Sequence, residues 1–256
     1  MLVRAAVLAS AVAAAAYRRK TLTIDGAGAA ALVGTVVFAR GGVRAATTLL
    51  AFFVSSSALS RLRERRATDA TLGAKGGQRD LVQVLANGGA PTVALLFGRD
   101  LGFVCGLAAA AADTWATEVG LLAGQRPRLI TTWRPVEAGL SGGVTIPGLL
   151  ASAAGACVIG ATWWLTGGSV RAIRPALVAG VFGSVIDSLL GATVQARYRC
   201  EACERFSETK THSGCPASAE LVHGWPVVTN DAVNAMSITW ATALGSWLTR
   251  RQSCAS

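Results

Sequence analysis

Four acidic side chains fall inside or at the ends of apolar stretches: Asp113, Glu118, Asp187 and Asp231. A carboxylate in hydrocarbon costs about 2.5 to 3.5 kcal/mol on the mildest insertion scale, so four left alone would cost on the order of 10 kcal/mol. They must face a polar interior, a partner or a cation. At 100° per residue, Asn230, Asp231, Asn234 and Ser237 of VVTNDAVNAMS share an arc of about 120°. Asp113, Thr114, Thr117 and Glu118 make a second polar stripe, and Gly183, Ser184, Asp187, Ser188, Gly191 and Gln195 a third. A fourth segment, QVLANGGAP, brings Gln83 and Asn87 before a Gly pair that lets a ligand approach the backbone. Oxygen ligands from separate helices, with room for water, suit Mg²⁺ sharing its shell with substrate phosphates. Asp113, Asp187 and Asp231 are the expected Mg²⁺ or phosphate ligands. The plainer reading pairs single acids with arginines or makes them interhelical hydrogen-bond partners.

These side chains need a membrane frame. The 256 residues are 52% hydrophobic and 15% charged, with a mean hydropathy of +0.47. That composition predicts an all-α, polytopic transmembrane bundle in a single domain, 1–256. Apolar windows predict about eight helices, at roughly 2–17, 22–39, 43–60, 81–98, 101–123, 146–166, 174–195 and 227–248, with six to eight true spans. Basic residues do not interleave with aromatics, which argues against nucleic acid despite a net charge of +10. With eight spans, Lys and Arg divide 16 to 8 between the two faces. The richer face, which holds every long loop, is the expected cytoplasmic one, in a cell inner membrane. The Ala-rich N-terminus resembles a secretory signal, but Arg18, Arg19 and Lys20 make an uncleaved first span the expectation.

Three loops on that face carry candidate chemistry. RATDATLGAKGGQRD (66–80) combines Lys75 and Arg79 with three glycines, a composition that wraps phosphates but lacks the Walker A spacing. A solvated basic loop would look the same. EAGLSGGVTIPG (137–148) places Ser141, Gly142 and Gly143 before a helix whose free N–H groups offer an anion site, or a plain helix entry. Within the loop 196–226, Cys200, Cys203, His212 and Cys215 have the spacing of a structural Zn²⁺ knuckle, with His223 a spare ligand; unpaired thiols are the alternative. No core is expected to fold so polar a loop without metal. No nucleophilic serine elbow or Cys/His hydrolase pattern is visible.

Six segments in order, YRRKTLTIDGAGAAALVG, QVLANGG, AAADTWATEVG, SGGVTIPG, GSVIDSLLGATVQARYRC and NDAVNAMS, resemble the transmembrane protein 19 family across nearly the whole chain. Its plant members include the chloroplast phytyl-phosphate kinase. The resemblance implies transfer of the terminal phosphoryl group of a nucleoside triphosphate, CTP being favoured, to an isoprenyl monophosphate such as phytyl or geranylgeranyl phosphate. It carries Asn87, Asp113, Glu118, Asp187, Asn230, Asp231 and Asn234 over as site residues, with Ser184 inside G-S-x-x-D-S. Relatives often read G-T-N-G-G-V-S where this chain has GLSGGVT (139–145). Phosphoryl transfer asks of a protein mostly a metal, cationic clamps and in-line alignment, with Lys75 and Arg79 as clamps. A cytidylyltransferase and an ion-coupled secondary transporter are the competing readings.

Overall fold

The computed structural model describes residues 2–66, 77–204, 206–211 and 218–253, with side chains to residue 249. Among these, seven α-helices dominate: α1 Leu2–Arg18, α2 Ile24–Arg66, α3 Leu81–Leu96, α4 Asp100–Leu122, α5 Ile146–Leu165, α6 Ile173–Thr193 and α7 Asn230–Ser253. A short 3₁₀ turn, Val170–Ala172, leads into α6. Three helical stretches have the length and apolarity to cross a membrane, α2, α5 and 170–193, and α3 is a shorter apolar helix.

α2 does not run straight. The Thr23 amide donates to the Arg79 carbonyl at 3.1 Å, and Arg79 Nη1 donates to Ser57 Oγ at 2.8 Å. In a continuous helix, positions 23 and 57 would stand about 51 Å apart. At the opposite end of the bundle Arg40 Nη2 donates to the Leu96 carbonyl at 2.6 Å. The helix therefore folds back between 40 and 57, and the break is Gly42, at φ 63° and ψ −156°. A side chain is excluded from that backbone conformation. The windows 22–39 and 43–60 are thus the two arms of one helical hairpin. Gly42→Ala is expected to destabilise the fold by about 1 to 3 kcal/mol, read as a lower unfolding midpoint in detergent.

α4 forms the axis of the bundle and packs against α2, α3, α5, α6 and α7. Ala108, Ala109, Ala110, Ala111 and Ala112 are all buried, so neighbouring helices close in on a narrow core. A Cβ on Gly180 of α6 would come within 2.5 Å of Ala156 Cβ and 3.1 Å of the Ala108 carbonyl, which is why that crossing takes glycine. Phe103 and Trp163 meet at 6.2 Å between ring centroids, and the Arg44 guanidinium lies 4.9 Å from the Trp163 centroid.

The helical expectation holds for the bundle, and the connections at its loop end add short strands. β1 (Arg128–Leu129) pairs antiparallel with β2 (Gly143–Val144). The loop 196–226 holds a three-stranded antiparallel sheet, β4 (Phe206–Ser207), β3 (Arg197–Arg199) and β5 (Glu220–His223), in the order β4-β3-β5. Ala196, Tyr198, Cys200 and Ala219 bury one another beneath it, with Cys203 alongside. This loop has a small apolar core, contrary to the expectation that none was available.

Candidate functional site

The loop end of the bundle contains a cavity of about 680 Å³. Its floor comes from the polar stripes of α4 and α6: Asp113, Thr117 and Glu118 from the first, Ser184, Asp187 and Ser188 from the second. Spacings of three and four residues place each set on one helix face. The Asp113 and Asp187 side chains lie within hydrogen-bonding contact of each other. α7 closes the third side, with Ser237 Oγ donating to Asp187 Oδ2 at 3.2 Å and Asn230 at the rim. Two facing carboxylates repel unless a proton or a cation sits between them.

The roof is the glycine-rich loop. Gly142 has φ 83°, and a Cβ there would meet Ala192 of α6 at 2.6 Å. The Ile130 amide donates to the Gly142 carbonyl at 2.9 Å, so β1 holds the loop against α6. Ser141 is its fastening point. Gln195 Nε2 donates to Ser141 Oγ at 2.9 Å, Ser141 Oγ donates to Glu208 Oε1, and Arg197 Nη2 reaches the Ser141 carbonyl at 3.4 Å. Burial draws the Arg197 guanidinium below its usual pKa, and Glu208 opposes that shift.

The remaining expected site residues fall in several places. Ser141, Gly142 and Gly143 line the cavity. Glu118 also borders it, but Arg63 Nε donates to its Oε2 at 2.6 Å and Ser60 Oγ to its Oε1 at 2.7 Å. Glu118 is thus held in an ion pair, the plainer outcome for an intramembrane acid. Asp231 and Asn234 do not line the cavity; the Asn234 carbonyl accepts from Ser237 Oγ at 3.0 Å. Asp231 lies about 100° around the α7 axis from Asn230, which turns it off the cavity edge. Among the described residues no three His, Cys, Asp or Glu side chains form a metal-holding group. Of the three aspartates expected there, Asp113 and Asp187 meet across the cavity.

Arg79 and Asn87 line a different cavity, of about 320 Å³, between α1, α2 and α3. Arg79, expected as a phosphate clamp, is tied back by its main chain to residues 21–23 and lines this cavity rather than the first. Burial lowers the Arg79 pKa, an effect offset in part by the charge of Glu118. Asn87 Nδ2 donates to the Gln83 carbonyl at 2.9 Å. Lys75, His212 and Cys215 lie outside the described residues. Cys200 is fully buried and His223 is exposed on β5. The expected anion site at the start of α5 is weaker than the sequence suggests, since Pro147 has no N–H and Thr145 Oγ1 accepts from the Gly148 amide at 3.1 Å.

Arg63, Arg197 and Glu208 are cavity residues that the sequence did not mark. Glu208 sits in the segment read as a zinc knuckle, and nothing in its local spacing points to a helix-borne acid pair. Gln195 was signalled, as the last residue of the α6 stripe.

No solved structure matches the chain. Protein PGR of Arabidopsis thaliana is 34% identical, over 96% of this chain and 95% of its own. An uncharacterized membrane protein of Methanocaldococcus jannaschii is 31% identical over 70% of this chain and 77% of its own, and one of Synechocystis sp. 30% over 90% and 84%. The family model described as integral membrane protein DUF92 matches residues 7–242. With the family model matched over nearly all of the chain and Protein PGR 34% identical over 96% of it, the chain belongs to the DUF92 family of integral membrane proteins, the transmembrane protein 19 family of which Protein PGR is a member.

Proposed function

We propose that the protein is an integral-membrane kinase that moves the terminal phosphoryl group of a nucleoside triphosphate, CTP first, to an isoprenyl monophosphate such as phytyl or geranylgeranyl phosphate. The carrying observation is the cavity in which Asp113 and Asp187 face each other under a glycine-rich roof, with Arg63 and Arg197 on its wall. An acceptor phosphate oxygen attacks the terminal phosphorus, the bond to the nucleoside diphosphate breaks, and the lipid leaves as a diphosphate. The attacking oxygen is already ionised, so the protein supplies no base. In this reading the eight helical segments cross an inner membrane with the loop end cytoplasmic, and the acceptor tail stays in hydrocarbon.

Two carboxylates from separate helices, open to water and phosphate, fit the usual binding mode of Mg²⁺, which takes one or two carboxylates and keeps several waters. Asp113 and Asp187 would hold it, and when bound it neutralises charge on the phosphates. Asn230 and Ser184 offer neighbouring oxygens. Arg197, held by Ser141 and Glu208, is placed to meet a triphosphate. Ser141→Ala loosens that fastening and is expected to raise the KM for the triphosphate about tenfold while changing kcat little. For the loop 196–226 the separate proposal is structural Zn²⁺ at Cys200, Cys203, His212 and Cys215. About one zinc per chain is expected by elemental analysis of purified protein, and Cys200→Ser is expected to remove it.

The test is purified protein with γ-labelled CTP or ATP and phytyl or geranylgeranyl monophosphate. Label in a lipid diphosphate is the expected result. Label released as pyrophosphate, with CDP on the lipid, makes the protein a cytidylyltransferase instead. No lipid product with any triphosphate removes the kinase reading.

A further inference from the structure

The second cavity has no part in that chemistry. It lies between α1, the two arms of α2 and α3, and Val12, Phe38, Leu50 and Phe53 make much of its wall. Leu8, Val12, Val43 and Leu50 border it and are exposed on the outside of the bundle, so it opens sideways to the surface that faces lipid. At its loop end the lining changes to Arg79, Gln83 and Asn87.

Arg79 is fixed there by its main chain. Its N–H donates to the Thr21 carbonyl at 2.9 Å and its carbonyl accepts from the Thr23 amide at 3.1 Å. A Cβ on Gly26 would come within 2.2 Å of that carbonyl, so glycine is what lets α2 begin so close. The guanidinium lies 5.7 Å from the Phe53 ring centroid, and Nη1 donates to Ser57 Oγ. It is half-buried, and among the described residues no carboxylate stands within ion-pair distance of it. Glu118, already paired with Arg63, acts on it only at longer range. A guanidinium has five donors in a planar fork suited to phosphate oxygens. A half-buried one with donors to spare, at the polar mouth of an apolar slot open to lipid, complements an anionic head on a hydrocarbon chain.

We propose that this cavity binds an anionic glycerophospholipid of the surrounding bilayer, with one acyl chain between α1, α2 and α3 and the phosphate on Arg79. A zwitterionic phospholipid is disfavoured because its own cation approaches the same guanidinium. The cavity volume is at the lower end of the range for ligand sites, which suits a single chain.

The test is native mass spectrometry of the full chain released from nanodiscs of equal phosphatidylglycerol and phosphatidylcholine, without nucleotide or divalent cation. Failure here is thereby separate from failure of phosphoryl transfer. Wild type is expected to retain phosphatidylglycerol over phosphatidylcholine at least about tenfold. Arg79→Gln, which removes the charge, and Ala46→Phe, which fills the slot and leaves Arg79 intact, are each expected to abolish that preference, while Arg79→Lys keeps most of it. Gel filtration and helical circular dichroism check that the variants fold. Equal retention of the two lipids by wild type, or an unchanged preference in a folded Ala46→Phe variant, overturns the proposal. So does stronger Arg79-dependent retention of geranylgeranyl monophosphate, which gives the slot to a substrate.

Discussion

Asp187→Asn is expected to lower the rate of phosphoryl transfer at least about 100-fold, while the folded protein becomes no less stable. Asn has the shape of Asp and can still accept from Ser237 Oγ, so the contact between α6 and α7 survives. The change removes one of two facing negative charges, and with it the repulsion from Asp113. Relief of that repulsion favours folding, whereas a site that must attract a divalent cation needs both charges. An activity loss with an unchanged or raised unfolding midpoint therefore separates a functional acid from a structural one. Asp113→Asn is expected to behave alike, and the double variant to be little worse than either single one, because the pair acts as a unit. Turnover within threefold of wild type in Asp187→Asn would remove the acid pair from the chemistry.

Glu118→Ala has the opposite signature: a large loss of stability, of about 3 kcal/mol. The Glu118 carboxylate is nearly enclosed and takes hydrogen bonds on both oxygens, from Ser60 and Arg63. Its removal strips Arg63 of that ion pair in a mostly enclosed place and withdraws the negative charge that eases burial of Arg79. For a domain of this size the midpoint in detergent is expected to fall on the order of 10 °C. Glu118→Gln keeps an acceptor for Ser60 and costs less, and Arg63→Ala in the Glu118→Ala background restores part of the loss. A drop below about 1 kcal/mol would mark the pair as effectively solvated.

The helical frame is legible because apolar length is a strong signal: the windows 81–98, 101–123 and 146–166 end within two residues of α3, α4 and α5. The break between 39 and 43 is also visible, since a glycine pair interrupts the apolar run where Gly42 turns the chain. The polar stripes of α4 and α6 follow from helical periodicity, and they do meet across the cavity. Which acids meet is a tertiary matter. Glu118 and Asp113 share one stripe, yet Arg63 from a distant helix arm takes the first and Asp187 faces the second. Arg79 is adjacent in sequence to a basic loop, but a parallel bridge to Leu22 moves it to another part of the bundle. The small sheets escape notice because strands of two to four residues have no period to read, and their partners are distant in sequence, as Arg128 with Val144 and Arg197 with His223.

The enclosure of α4 has a consequence for biogenesis. This segment carries Asp100, Asp113 and Glu118 and is not among the stretches apolar enough to cross a bilayer unaided. Its acids make autonomous partitioning from the translocon unfavourable by several kcal/mol. Integration of this segment is therefore expected to depend on α5 and α6, which pack against it, being present to shield its acids. Truncations ending after α4 should leave it unintegrated and subject to quality control, though residues 102–112 of the same helix are the most deeply enclosed run among the described residues.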